Sequence, residues 1–133
     1  MEDYRLIESV PSVDDFCRIR IASGLSPRSK EIVAVGLPNS LFGVHAVFNQ
    51  TTIGMGRVIG DGGCNFEVVD IAVLPEHQGR GIGKMIMERI MAFLQENAPP
   101  TSYISLIGDV PEFYVPFGFK DCKPSKGMFI RVP

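Results

Sequence analysis

Between Ile71 and Lys84 the chain reads Ile-Ala-Val-Leu-Pro-Glu-His-Gln-Gly-Arg-Gly-Ile-Gly-Lys. A β-branched run ends at Pro75, glycines alternate at Gly79, Gly81 and Gly83, and a helical pattern follows. That order predicts a strand, a tight turn with little side-chain bulk, and a helix N-terminus whose first amides lack intrahelical partners. Such a terminus attracts anions, because the free donors and the helix dipole point the same way. The glycines would let the amides from Gly79 to Lys84 approach a pyrophosphate without a Cβ intervening, so a phosphate-bearing cofactor is expected. Two common nucleotide loops fail on count. Gly-x-Gly-x-x-Gly from Gly79 would need glycine where Lys84 stands, and from Gly54 where Ile59 stands. A Walker-type loop needs four residues before its Gly-Lys and a hydroxyl after it, whereas Met85 follows Lys84.

The residues that do match are Gln78, Gly81 and Gly83, in a Gln/Arg-x-x-Gly-x-Gly pattern. This resembles the acetyl-coenzyme-A loop of the GNAT superfamily of N-acetyltransferases. A second segment, Phe113-Tyr114-Val115-Pro116-Phe117-Gly118-Phe119, resembles that superfamily's Phe-Tyr-x-x-x-Gly-Phe stretch. Together the two segments and what lies between them cover residues 63–121. The resemblance implies acetyl-coenzyme A (acetyl-CoA) as cosubstrate, and two histidines with three scattered cysteines give the expectation of no metal. It places Gln78, Gly79, Arg80, Gly81, Ile82, Gly83 and Lys84 around the pyrophosphate, and the backbone of Ile71, Ala72 and Val73 along the pantetheine arm. It also implies that this strand splays from the next one, Tyr103–Ile107, so that the arm inserts like an extra strand. Gln78 stands where the family more often has Arg, which removes a charge and keeps a donor.

Amide formation from a thioester needs a neutral amine and a protonated leaving thiolate, and a placed base and acid contribute ~10²–10⁴-fold each. By resemblance Tyr114 is the acid, and at a pKa of ~10 a tyrosine holds its proton at neutral pH. Glu67, eleven residues before Gln78, has the spacing of the glutamate base in the histone-acetyltransferase branch. On a regular strand Glu67 shares a face with Val69, Ile71 and Val73, while Asp70 faces away; a bulge would reverse that parity. Glu67, Asp70 and ordered water thus stand as alternative bases. Arg57 and Asp61 are acceptor-site candidates, and Asp109 is expected to cap the short helix carrying Tyr114. The expected reaction is direct acetyl transfer to a primary amine of a small metabolite. A non-catalytic acyl-CoA sensor or a protein-interaction module on the same fold is the alternative.

Composition narrows the setting. The chain of 133 residues is 45% hydrophobic, with a net charge of −2; it is expected to form a single domain over 1–133 with a real core. That balance offers no electrostatic case for nucleic acid or an anionic membrane. No apolar run approaches the ~18 residues of a membrane span, and the Met1-Glu2-Asp3-Tyr4-Arg5 start lacks a signal-peptide pattern. Cys17, Cys64 and Cys122 are odd in number and scattered, so a cytoplasmic, reducing location is expected. Arg18, Arg20, Arg28 and Lys30 read as a solvated basic helical face.

The elements that must position these residues follow from pattern. Tyr4–Glu8 reads as a strand. Ser12-Val13-Asp14-Asp15 starts a helix whose stripe is Val13, Phe16, Cys17 and Ile21. Residues 28–35 form a second helix, and 41–48 with 52–59 a hairpin around Asn49-Gln50-Thr51. Asn65–Leu74 is a long strand, and Gly83–Asn97 a helix buried through Ile82, Ile86, Ile90 and Phe93/Leu94, ended by Pro99-Pro100. Tyr103–Ile107 is a strand, Val110–Val115 a helical turn, and Phe119–Cys122 and Met128–Val132 closing strands. The implied fold is α/β: a GNAT-like, mostly antiparallel sheet of six to seven strands with helices on both faces. Met128–Val132 would lie at a sheet edge, and because such edges tend to be covered, a homodimer is expected.

Overall fold

A computed structural model describes residues 3–133; Met1 and Glu2, part of the segment read against a signal peptide, lie outside the described residues. Strands β1 (Tyr4–Ile7), β2 (Phe42–Phe48), β3 (Thr51–Gly60), β4 (Asn65–Val73) and β5 (Tyr103–Leu106) form one sheet in chain order. The first four are antiparallel neighbours, and β5 joins β4 in parallel. Helices are α1 (Val13–Ala22), α2 (Lys30–Gly36), α3 (Ile82–Asn97) and the single turn α4 (Pro111–Tyr114).

Local chemistry accounts for the boundaries. Ser12 and Ser29 cap α1 and α2 by accepting from the amides of Asp15 and Ile32. Asn49 and Gln50 both have positive φ (52° and 67°). They form the two-residue hairpin whose twist matches the strands, so Thr51 already pairs with Phe48. Asp61 accepts from the amides of Gly63, Cys64 and Asn65, which turns the chain from β3 into β4. This bonding holds its carboxyl below the usual carboxylate range.

α3 lies on one face of the sheet, burying Ile82, Ile86, Met87, Ile90 and Leu94. Gly56 of β3 lets it come that close. A Cβ there would sit 2.6 Å from Ile71 Cδ1 and 2.8 Å from Ile86 Cγ2. Gly54 and Gly56 are therefore strand glycines that seat a helix. The other face carries α1 and α2, with Phe16, Ile19, Val33 and Leu37 buried. Here the α1 stripe is rotated from expectation: Ile19 and Arg20 are inside, whereas Ile21 is 66% exposed.

The sheet has five strands, not six to seven. Phe119–Cys122 and Met128–Val132 form no ladder. Local bonds take their place: Asp121 accepts from the Lys123 amide, and the Ser125 amide closes a turn onto Cys122. Pro124 adds a position with no donor. Met128, Phe129, Ile130 and Val132 are left exposed.

Candidate active site

β4 is the element on which the site depends. It pairs with β5 only from Asn65 to Val68. Immediately beyond, Asp70 and Ile71 together oppose Gly56, because Arg57 pairs with Val69 and Met55 with Ala72. This is a β-bulge, and Asp70 occupies it with a φ of 61°. The extra residue reverses the parity of the strand. Ile71 and Val73 turn toward α3, where they meet Gly56 and Gly54, and Asp70 joins Val69 on the α1/α2 face. From Val69 through the bulge to Val73, β4 has no partner strand on the β5 side among the described residues.

The loop that follows has the expected form. Gly79 (φ 76°) and Gly81 (φ 80°) are left-handed, and Gly81 precedes α3 with no side-chain cap. Its carbonyl accepts the first helical bond, from Met85. Among the described residues no backbone acceptor meets the amides from Gly79 to Lys84. Two side chains predicted to serve the cofactor hold the loop itself. Gln78 donates through Nε2 to the Val73 carbonyl at 2.9 Å. Arg80 donates to the Tyr4 hydroxyl at 3.2 Å, and that hydroxyl is 2.6 Å from His77 Nδ1. Tyr4 and His77 were not picked out in the sequence, where nothing links β1 to a loop more than seventy residues away.

Glu67 and Asp70 have different surroundings. Both Asp70 oxygens are taken: Arg20 lies 2.5 Å from one and Arg57 2.7 Å from the other. Arg20, assigned to a solvated face, is buried, and it also donates to the carbonyl and hydroxyl of Ser26. Burial pushes the Arg20 guanidinium down, and Asp70 opposes that shift. Glu67 pairs with Ile59 on one side and Ser105 on the other. Its neighbours Phe66 and Val68 are buried toward α3, so alternation turns Glu67 to the opposite face. No donor among the described residues meets its carboxylate.

Tyr114 ends α4 and closes over Gly108, where a Cβ would be 2.6 Å from the ring. Its ring also packs edge-on to Phe113 and Phe119. Burial, and after it the charge of Asp109, pushes the Tyr114 pKa above the ordinary tyrosine value. Asp109 does not cap α4, whose start has no side-chain cap. The structure therefore brings Glu67 and Tyr114 toward the same, C-terminal end of β5. Glu67 is laddered to Ser105, and Tyr114 sits over the glycine just past β5.

The profile of the "Acetyltransferase (GNAT) domain" matches residues 41–121. The chain belongs to this family. A solved structure from meticillin-resistant Staphylococcus aureus, described as a probable acetyltransferase of unknown function, is 44% identical. It superposes with a TM-score of 0.92 over 97% of this chain and 99% of its own. The chloroplastic GCN5-related N-acetyltransferase 2 of Arabidopsis thaliana is 41% identical over 58% of this chain and 30% of itself. A GNAT acetyltransferase from Brucella melitensis, solved with acetyl-CoA, shares the fold at 20% identity and a TM-score of 0.68, over 89% of this chain and 83% of its own. The chain spans about half the length, or less, of several curated relatives. The free amides, the left-handed glycines and the half-unpaired β4 are thus features of a GNAT fold. Among the described residues no helix is long and apolar enough to cross a membrane.

Proposed function

We propose that residues 1–133 act as one N-acetyltransferase domain that moves an acetyl group from acetyl-CoA directly to a primary amine of a small metabolite. The observation that carries this reading is the run of unpaired amides from Gly79 to Lys84 beside a strand with a free edge. The residues present fit the cosubstrate. Charge-assisted bonds from such amides are worth ~1.5–3 kcal/mol each, so several of them anchor a pyrophosphate. Ile71, Ala72 and Val73 would line the pantetheine arm, although the Val73 carbonyl already accepts from Gln78.

Bound there, acetyl-CoA supplies the activated acyl carbon. Glu67, whose carboxylate is free, takes the proton that the amine must lose, directly or through water. Tyr114 holds the proton that the departing sulfur needs, and its raised pKa keeps that proton in place at neutral pH. Asp70 is a poor candidate for the base, since its two oxygens serve Arg20 and Arg57. The free thiols of Cys17, Cys64 and Cys122 support a reducing, cytoplasmic location. The exposed apolar tail at Met128–Val132 favours a homodimer that covers it.

Thiol release from acetyl-CoA with a broad panel of primary amines tests the reading. Turnover with at least one amine is expected. Tight CoA binding with no turnover of any amine would favour a non-catalytic acyl-CoA sensor instead.

A further inference from the structure

Four guanidinium groups meet on the α1/α2 face of the sheet, next to the bulge. Arg20 and Arg57 share the carboxylate of Asp70. Arg28 and Arg131 have no carboxylate partner among the described residues. Three of the four converge on a single hydroxyl: Ser26 Oγ accepts from Arg20 at 3.0 Å, from Arg28 at 2.6 Å and from Arg131 at 2.6 Å. A hydroxyl oxygen offers two lone pairs and no charge, so it cannot satisfy three cations. Arg28, Arg57 and Arg131 each press the Arg20 guanidinium down by like charge. This surplus of positive charge occurs in a chain whose acidic residues outnumber its basic ones, 15 to 13.

The cluster borders a cavity of about 270 Å³. Arg28, Arg57 and the doubly paired Asp70 line it, with Phe16, Ile32, Ile59 and Val69 among its apolar walls, and Arg131 joins the cluster through Ser26 without lining the cavity. Ile59 is the ladder partner of Glu67, and both lie on this face. The cavity therefore opens on the same side of the sheet as the free carboxylate, with its β4 wall, Val69 and Asp70, two and three residues along the strand from it.

We propose that the acceptor amine carries an oxyanion, such as a carboxylate, phosphate or sulfonate, bound by Arg28, Arg57 and Arg131 while its amine reaches Glu67. This rests on the transferase reading above and adds the class of acceptor. The anion supplies the charge that Ser26 cannot, and a guanidinium fork matches it bidentately. The apolar walls select a short aliphatic spacer over a polyhydroxylated one.

Matched acceptor pairs test it by thiol release: β-alanine against its amide, γ-aminobutyrate against its amide, phosphoethanolamine against ethanolamine, and taurine against its sulfonamide. The acidic member of at least one pair should exceed its neutral partner roughly 10-fold or more in kcat/KM, and which pair responds identifies the oxyanion. In Arg28→Gln and in Arg131→Gln, both at exposed positions, that ratio should fall toward one while the melting temperature holds. Equal or better turnover of neutral amines or polyamines would overturn the proposal, as would a ratio unchanged in both variants. Should no amine turn over, the transferase reading fails, and calorimetry with saturating CoA still decides the anion site. Glutarate should then bind roughly 10-fold tighter than glutaramide in the wild type and lose that advantage in Arg28→Gln. No difference between the two probes would overturn it.

Discussion

Replacing Asp70 with Asn removes the charge and turns one of its two accepting oxygens into a donating NH2, with the backbone little disturbed, because Asn tolerates the left-handed conformation that the bulge imposes at φ 61°. What remains is two guanidiniums facing one neutral amide. The side chains of Arg20, Asp70 and Arg57 are 6%, 11% and 17% exposed, so little water is at hand to replace the lost carboxylate. Removing one partner of a buried ion pair costs ~3–5 kcal/mol, because the other charge stays buried and unpaired. The partial exposure of Arg57 puts the expectation near the lower end. With an unfolding entropy of about 2.1 cal/mol/K per residue, each kcal/mol shifts the melting temperature of a chain this size by about 3–4 °C. Asp70→Asn should therefore melt ~10–15 °C below the wild type. Urea titration should show a lower midpoint with an unchanged slope, as expected for lost stability without a change in the surface exposed. Asp70→Ala should fall further by about 1–2 kcal/mol, the penalty for a Cβ residue in the left-handed region without a compensating side-chain bond. A Tm within ~3 °C of wild type for Asp70→Asn would mean that the three groups are solvated, and the ion-pair account of the bulge would fail.

Gly81→Glu puts a like charge at the free amides, and loss of two or more charge-assisted bonds should weaken CoA binding roughly 100-fold or more by calorimetry. Unchanged affinity would remove the loop assignment. Tyr114→Phe keeps the ring over Gly108 and should lower turnover roughly 10–10³-fold with little change in acetyl-CoA affinity; full activity in a folded variant would mean that solvent supplies the proton. Because burial raises the Tyr114 pKa, its contribution to stability is complete below the unfolded value of ~10 and is lost as pH rises through the higher folded value. An alkaline loss of stability seen in the wild type should accordingly be smaller in the Phe variant. Glu67→Gln should cut turnover roughly 10²-fold at neutral pH and recover part of it at alkaline pH, where the amine is already neutral; an unchanged pH profile would leave water as the base.

The parts of this fold that were legible in the sequence are those set by short-range chemistry. The glycine spacing of 79, 81 and 83 predicted the open helix N-terminus, and Ile82, Ile86, Ile90 and Leu94 predicted the buried face of α3. Ser12 and Asn49-Gln50 marked a cap and a turn in the places they occupy. Misreadings arose where a partner distant in sequence decides. Arg20 follows Phe16 by four residues and so lies on its inward stripe, but an arginine there makes sense only once Asp70 is known to be beneath it. The parity of β4 was legible only as a condition, since a bulge has no local signature and reverses which acid faces which side. Phe119–Cys122 and Met128–Val132 have strand composition, but composition becomes a strand only when a neighbouring edge accepts it.

One inserted residue therefore links the two halves of the proposed site. Without the bulge, Asp70 would point toward the apolar side chains of Ile86 and Ile90 of α3, and Ile71 would point toward Arg57. With it, Asp70 draws Arg20 of α1 and Arg57 of β3 onto the acceptor face, and Ile71 and Val73 fill the space above Gly56 and Gly54. The ladder to β5 ends just before it, at Val68, which leaves unpaired the edge of β4 proposed for the cosubstrate. The left-handed conformation at Asp70 costs ~1–2 kcal/mol and persists because the two ion pairs and the packing of Ile71 beneath α3 both demand it. Strain kept in this way fits a functional position: the residue that shapes the strand proposed to hold the cosubstrate also organises the arginines proposed to select the acceptor.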